Sequence, residues 1–209
     1  MRAIIIASGE SLKHICELKN DVANCPAYIV NANISHALRS YPDVFNCLQL
    51  KHIANRMEPS ILDKELYLKY KIKDLYFTVP EERKLEISRS IAKVKSYGIK
   101  DLNIRFVPKE LLKLYQSMNN ITFYGVMLAA HVDKADEIYM VGLDFWEGEY
   151  LNKLSSPKQK NLPFEKNLYR LFKDLISYHL NIKFRLFTVS EKVIPQPNLE
   201  IINVKKEKA

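Results

Sequence analysis

Short apolar runs of strand length alternate with amphipathic stretches along the whole chain. Residues 3–7 run apolar from Ala3 through Ile4, Ile5 and Ile6 to Ala7, the pattern of a central parallel strand covered on both faces. The run breaks at Ser8-Gly9-Glu10-Ser11, and residues 11–19 then place Leu12, Ile15, Cys16 and Leu18 on a short helix. Residues 27–30 predict a second strand, closed by Asn31-Ala32-Asn33. Residues 45–50 suit a strand and a helix equally, since a run so short carries no decisive period. Helix-forming content over 58–70, after Pro59, leads to a strand at 75–79 that Pro80 ends. Residues 81–97 predict one amphipathic helix, with Leu85, Ile87, Ile91, Val94 and Tyr97 near one face and Gly98 as its stop.

Residues 103–107 form the next predicted strand, and Pro108 opens a helix to 115. A helix over 122–132 carries the small residues Gly125, Ala129 and Ala130, and 137–143 is the clearest strand after the first. A long amphipathic helix over 164–180, a strand over 183–189 and an edge strand over 199–204 complete the pattern. Strands alternating with helices predict an α/β fold: a Rossmann-like, mostly parallel sheet with helices on both faces and right-handed crossovers. With no repeat, linker or low-complexity run, residues 1–209 are expected to form one domain.

Composition narrows the function classes. Apolar content of 47% with 27% charged residues is that of a globular protein, and no apolar run approaches the ~20 residues that span a bilayer. The Ile4-Ile5-Ile6 block, preceded by Arg2, is too short for a signal-peptide core. Cys16, Cys25 and Cys47 show neither a CxxC nor a metal-ligand spacing, which predicts reduced thiols and a cytoplasmic setting. The net charge of +8 is spread along the chain and interleaved with acids, so no nucleic-acid partner is expected. It fits a solvated basic surface, or attraction to an anionic ligand or an acidic leaflet at the inner membrane face. The tail Lys205-Lys206-Glu207-Lys208 is too short to decide between these.

In an open parallel sheet, ligands bind beyond the carboxyl ends of the strands. Two such ends, residues 8–11 and residues 144–150, therefore frame one expected crevice. A strand, a tight turn and a helix start make an anion site, because free N–H groups and the helix dipole point at the ligand. Ser8-Gly9-Glu10-Ser11 supplies that arrangement, although it is neither a GxGxxG fingerprint nor a P-loop. A plain turn with Ser11 as helix cap fits it equally well. Asn31 and Asn33 end the second strand, where a carboxamide can pair with donors and acceptors of a base or sugar; asparagine also simply tolerates a left-handed turn. Asp144 would accept from a ligand hydroxyl or hold its own loop through backbone N–H groups, and the structural role is the commoner one for an acid in a turn.

Trp146 and Tyr150 flank Glu147, Gly148 and Glu149. A phenol there would donate to a phosphate oxygen and stabilise a departing nucleotide without a metal; the tryptophan would equally serve as rim of the core. His14, His36, His52, His131 and His179 form no HxxxH or HExxH pair, so no metal ligands are expected. No Ser-His-Asp order or GxSxG elbow is present either.

Three of these pieces together resemble the bacterial sialyltransferases of the Campylobacter lipooligosaccharide type, glycosyltransferase family 42. The opening IIIASGESL is similar to that family's strand and nucleotide-holding turn. The block ITFYGVMLAAHVDKADEIYMVGLDF is similar to its Ile-Thr-Ser-Gly helix start, small-residue helix and Gly-Ile-Asp-Phe strand end, and LFKDLISYHLNIKFRLFTVS matches in order and character. The resemblance covers roughly half the chain and is poor over the middle third. It implies Ser8, Gly9 and Ser11 at the nucleotide phosphates, Asn31 or Asn33 at the cytidine or sugar, and Thr122 at the nucleotide. It also implies Tyr150 as one of two tyrosines that stabilise the leaving phosphate, with Trp146 in place of the other. Glu10 stands where the family has proline, and Phe123 where it has serine. The stretch Lys160-Asn161-Leu162-Pro163-Phe164-Glu165 lacks the family's histidine base, which leaves Glu165 as the carboxylate able to take that role.

The resemblance implies a metal-independent transfer, without a cofactor, from a CMP-sialic acid donor or a similar nucleotide sugar to a glycan or glycolipid acceptor. A homo-oligomer and peripheral membrane contact stay open. Two other classes also fit. One is a pterin diphosphokinase using ATP and a divalent metal, with Asp144, Glu147 and Glu149 as the acidic set. The other is a nucleotide-binding protein without catalysis.

Overall fold

The computed structural model describes residues 1–55, 58–114, 120–145 and 162–204, with the side chains of residues 58, 114 and 162–166 outside that description. Eight strands form one sheet: β1 (Arg2–Ile6), β2 (Pro26–Val30), β3 (Gln49–Ala54), β4 (Asp74–Phe77), β5 (Asn103–Phe106), β6 (Glu137–Val141), β7 (Lys183–Thr188) and β8 (Leu199–Asn203). They lie in the order β5-β4-β3-β2-β1-β6-β7-β8, and every neighbouring pair is parallel. The expected α/β, Rossmann-like sheet is thus present, with β8 at one edge.

Period-two alternation assigns the two faces of β1: Ile4 and Ile6 join one buried cluster and Ala3 and Ile5 the other. A strand buried on both faces has no polar position, which is why residues 3–6 are continuously apolar. The helix Ile121–His131 lies across β1, β2 and β3. Its Gly125 is a packing position, not a ligand contact: an added Cβ would stand 2.9 Å from Ile5 Cγ2. Phe123 is likewise fully buried, with its ring 6.1 Å from that of Phe172. Both were expected at the substrate; the structure packs them in the core, and neither lines the crevice described below.

Three predicted elements differ in detail. Residues 45–50 straddle a boundary, because Pro42 opens a short helix, Pro42–Phe45, and β3 begins at Gln49. The single helix expected over 81–97 is a 3-10 segment, Glu81–Ile87, kinked at Arg83, followed by an α-helix, Ser88–Ser96. A pitch of three residues per turn carries Leu85 off the buried face, and it is 82% exposed. Helix over 58–70 reduces to a 3-10 turn, Glu58–Ser60, and an α-helix, Lys64–Lys69.

Candidate functional site

β1 pairs with β2 on one side and with β6 on the other. The order of connection therefore reverses there, and chain leaving the two sides parts to leave a crevice at the carboxyl ends. A cavity of about 180 Å³ occupies this position, lined among others by Ser8, Asn31, Asn33, Asn120, Thr122 and Asp144. Five of these six were expected from the sequence.

One wall is built around a buried carboxylate. Asp144 Oδ2 accepts from the Ser11 N–H at 2.8 Å, and Oδ1 accepts from the Val189 N–H at 3.0 Å and the Thr188 hydroxyl at 3.1 Å. Ser11 Oγ in turn accepts from the Gly142 N–H at 2.9 Å, while the Gly9 N–H donates to Gly142 O at 2.8 Å. Glycine is required twice in this knot. A Cβ on Gly9 would stand 2.3 Å from Asp144 Oδ2, and one on Gly142 would stand 2.1 Å from Ala7 O. Gly142 also has φ +76°, which side chains resist. Burial pushes the Asp144 carboxyl above its usual range, and the hydrogen bonds from Ser11, Val189 and Thr188 oppose that rise.

This arrangement engages part of the 8–11 turn, read as an anion cradle or a plain turn, in bonds within the protein. The helix that starts at Glu10 already has a carboxylate at its N-terminus, supplied from within by Asp144. Ser11 is fully buried and Gly9 faces Asp144, so neither lines the cavity. Glu10 forms an ion pair with Lys13 at 2.9 Å outside the crevice. Ser8 alone of the four lines it. Asp144 does accept backbone N–H groups, as its structural alternative expected, but they come from Ser11 and Val189 and not from its own loop.

The opposite wall is a set of carboxamides. Asn31 has φ 60° and ψ 170°, a region that essentially only glycine occupies without strain. Its N–H donates to Ile53 O at 2.9 Å, which holds the backbone in place. Its side-chain Oδ1 is buried with no hydrogen-bond partner among the described residues. Backbone strain and an unsatisfied buried acceptor thus coincide in one residue at the cavity wall. Asn33 stands exposed two residues on. Asn120 caps the Ile121–His131 helix, accepting from the Thr122 N–H at 2.9 Å, and Thr122 is buried at the cavity wall.

Among the described lining residues the only charged side chain is Asp144, and its oxygens are already engaged. The lining suits an uncharged polar group with mixed donors and acceptors, such as the edge of a base or a sugar. No group of three metal-ligating side chains occurs among the described residues.

No protein-family model matches the chain, and no curated protein matches it. A solved structure of the sialyltransferase CST-II, in complex with trisaccharide acceptor and CMP, is similar over 97% of this chain and 89% of its own, at 15% identity and a TM-score of 0.48. At that level no residue role is taken from it.

Sequence reasoning missed part of the lining. Asn120 carried a signal, since asparagine before an apolar helix is a standard cap. Phe145 fell within the expected rim 144–150 with no role of its own, and Leu168 carried no signal: Phe145 enters with φ 51° and stacks on Tyr169 at 4.5 Å, a contact only the fold creates. Tyr150 and Trp146 lie outside the described residues, as do Glu147 and Glu149. Glu165 falls in the first turn of the helix Leu162–Tyr178, with its side chain outside the description. Among the described residues no helix is long and apolar enough to cross a membrane.

Proposed function

We propose that residues 1–209 form a single nucleotide-sugar-binding domain, a sialyltransferase-like glycosyltransferase that moves a sugar from a CMP-activated donor to a glycan hydroxyl without a metal. The observation that carries this reading is Asn31: a strained residue at the switch-point crevice whose amide oxygen has no partner. That oxygen asks for an N–H donor, and the exocyclic amine of cytosine is one. The similarity of IIIASGESL and of the 121–145 block to the sialyltransferase motifs supports the same assignment.

In this mechanism the acceptor hydroxyl attacks the anomeric carbon as the bond to the CMP phosphate breaks, with inversion. The hydroxyl proton passes to Glu165, and Tyr150 donates a hydrogen bond to the leaving phosphate, where negative charge develops. Ser8 and Thr122, in the first turn of the Ile121–His131 helix, line the crevice in which this would take place.

A second reading, binding without transfer, is favoured by one observation: no titratable group on the described wall is free to move a proton, since Asp144 is fully engaged. The kinase reading is weakened by the same carboxylate, both of whose oxygens already accept hydrogen bonds from the protein.

Calorimetry with CMP, CDP, ATP and UDP, each with magnesium and with chelator, tests the assignment. CMP-selective binding that survives chelation and is lost in Asn31→Ala is the expected result. Metal-dependent ATP binding would refute it. CMP binding with no transfer to any acceptor in a glycan screen would establish the second reading.

A further inference from the structure

In an all-parallel sheet every loop that precedes a strand lies at one edge, opposite the crevice. Lys69, Lys71 and Lys73 are exposed in the approach to β4, on the rim of an open depression of about 560 Å³. Lys100, before β5, and Lys134, before β6, are exposed at the same edge. None of these five has a carboxylate partner among the described residues. Several carboxylates of this edge are already matched: Asp133 by Lys51 at 2.5 Å, Asp136 by the terminal ammonium at 2.5 Å, and Asp74 by Arg105 at 2.5 Å. The exposed carboxylates Asp21, Asp43 and Asp101 offset only part of the remaining positive charge.

The same edge exposes apolar side chains. Leu68 is 53% exposed, Val132 44%, Tyr178 53% and Leu180 69%. Val132 and Tyr178 adjoin the edge-to-face pair His131 and His179, whose ring centroids are 5.4 Å apart. Cations interleaved with protruding aliphatic and phenolic groups suit the boundary between phospholipid headgroups and acyl chains.

We infer that the amino-terminal edge of the sheet is a membrane-binding face that seats on an anionic phospholipid surface. A nucleic acid would use the lysines but leave Leu68, Val132, Tyr178 and Leu180 without a role. A second copy of the chain would set these lysines against their own kind. The inference stands independently of the reaction assigned to the crevice. It fixes an orientation: β1 is five residues long, so the crevice opens about 17 Å from the lipid, facing the aqueous phase.

The test is co-sedimentation of the full chain with phosphatidylcholine vesicles, with and without phosphatidylglycerol. Binding is expected only with phosphatidylglycerol and should weaken as salt is added. A lysine near such a surface contributes about a fivefold change in partitioning, so Lys69→Gln with Lys71→Gln and Lys73→Gln should lower it on the order of a hundredfold. Tyr178→Ser with Leu180→Ser should remove the part of the binding that persists at high salt. Lys84→Glu with Lys109→Glu, at the opposite edge, should weaken binding far less than the three-lysine variant. Circular dichroism confirms that each variant is folded. Equal binding to neutral vesicles, loss of the same size in the opposite-edge variant, or equally lysine-dependent binding to a DNA duplex would overturn the inference. So would a stable dimer, in sedimentation equilibrium, that the Tyr178 and Leu180 substitutions dissolve.

Discussion

Replacing Asp144 by asparagine separates the two things a buried acid at a crevice can do. As found, the carboxylate accepts three hydrogen bonds, two of them from backbone N–H groups on different segments, Ser11 and Val189. An amide keeps one oxygen. Turned toward Thr188 and Val189, it presents its NH2 to the Ser11 N–H, donor against donor; turned the other way, it orphans Val189 instead. One buried N–H is left unsatisfied in either case, at a penalty of about 1–3 kcal/mol, and a charge-assisted bond worth about 1.5–3 kcal/mol is lost with it. Relief of the desolvation that raises the Asp144 pKa returns part of this. A net destabilisation of about 2–3 kcal/mol is expected for Asp144→Asn, read from urea midpoints at unchanged slope. CMP affinity, measured well below the transition, should change little if Asp144 only holds the loop. An unchanged urea midpoint with abolished CMP binding would refute the reasoning and make Asp144 a ligand contact.

Asn31→Gly relieves the strained backbone and should raise stability by about 1 kcal/mol while abolishing CMP binding, a trade visible by running thermal unfolding and calorimetry on one preparation. His52 is fully buried, with Nδ1 2.7 Å from the Tyr67 hydroxyl, and burial pushes its pKa from 6.5 down to about 3. The folded state therefore excludes the proton that the unfolded chain takes up below pH 6.5. Its contribution is present above that pH and should fall by about 2 kcal/mol between pH 7 and 5, a slope that His52→Gln flattens in urea titrations. Tyr150→Phe should lower turnover far more than donor affinity; equal loss of both would place the phenol in ground-state binding.

The fold was legible wherever burial alone decides the residue. Apolar runs at β1, β2 and β6 and the small-residue helix between 121 and 131 pointed to a parallel sheet, and the position of its crevice followed from topology. Elements shorter than two turns were less legible, because so short a run does not tell a 3-10 pitch from an α pitch, and the two place different residues inward, as Leu85 shows. Residue types that end strands pointed to Ser8, Asn31, Asn33 and Asp144, and the family resemblance to Thr122; all five line the crevice. Residue types did not reveal that Asp144 turns inward and displaces Ser11 from any ligand, since that depends on β7, more than forty residues later, supplying Thr188 and Val189. Nor could type alone separate a strained asparagine from a tolerant one.

The pairing of β1 with β6 has a consequence for biosynthesis. Strands β1 to β5 pair in the order they are made, each beside the last. The partner for the other edge of β1 is separated from it by about 135 residues, as the Arg2 to Glu137 contact marks. Until that segment leaves the ribosome, Ile4, Ile5 and Ile6 present an unpaired, wholly apolar strand edge, the kind that templates aggregation. Closing so long a loop is slow compared with local pairing. The crevice therefore assembles only after the β1 to β5 half of the sheet, and the yield of active protein should respond to chaperone supply and translation rate more than to equilibrium stability.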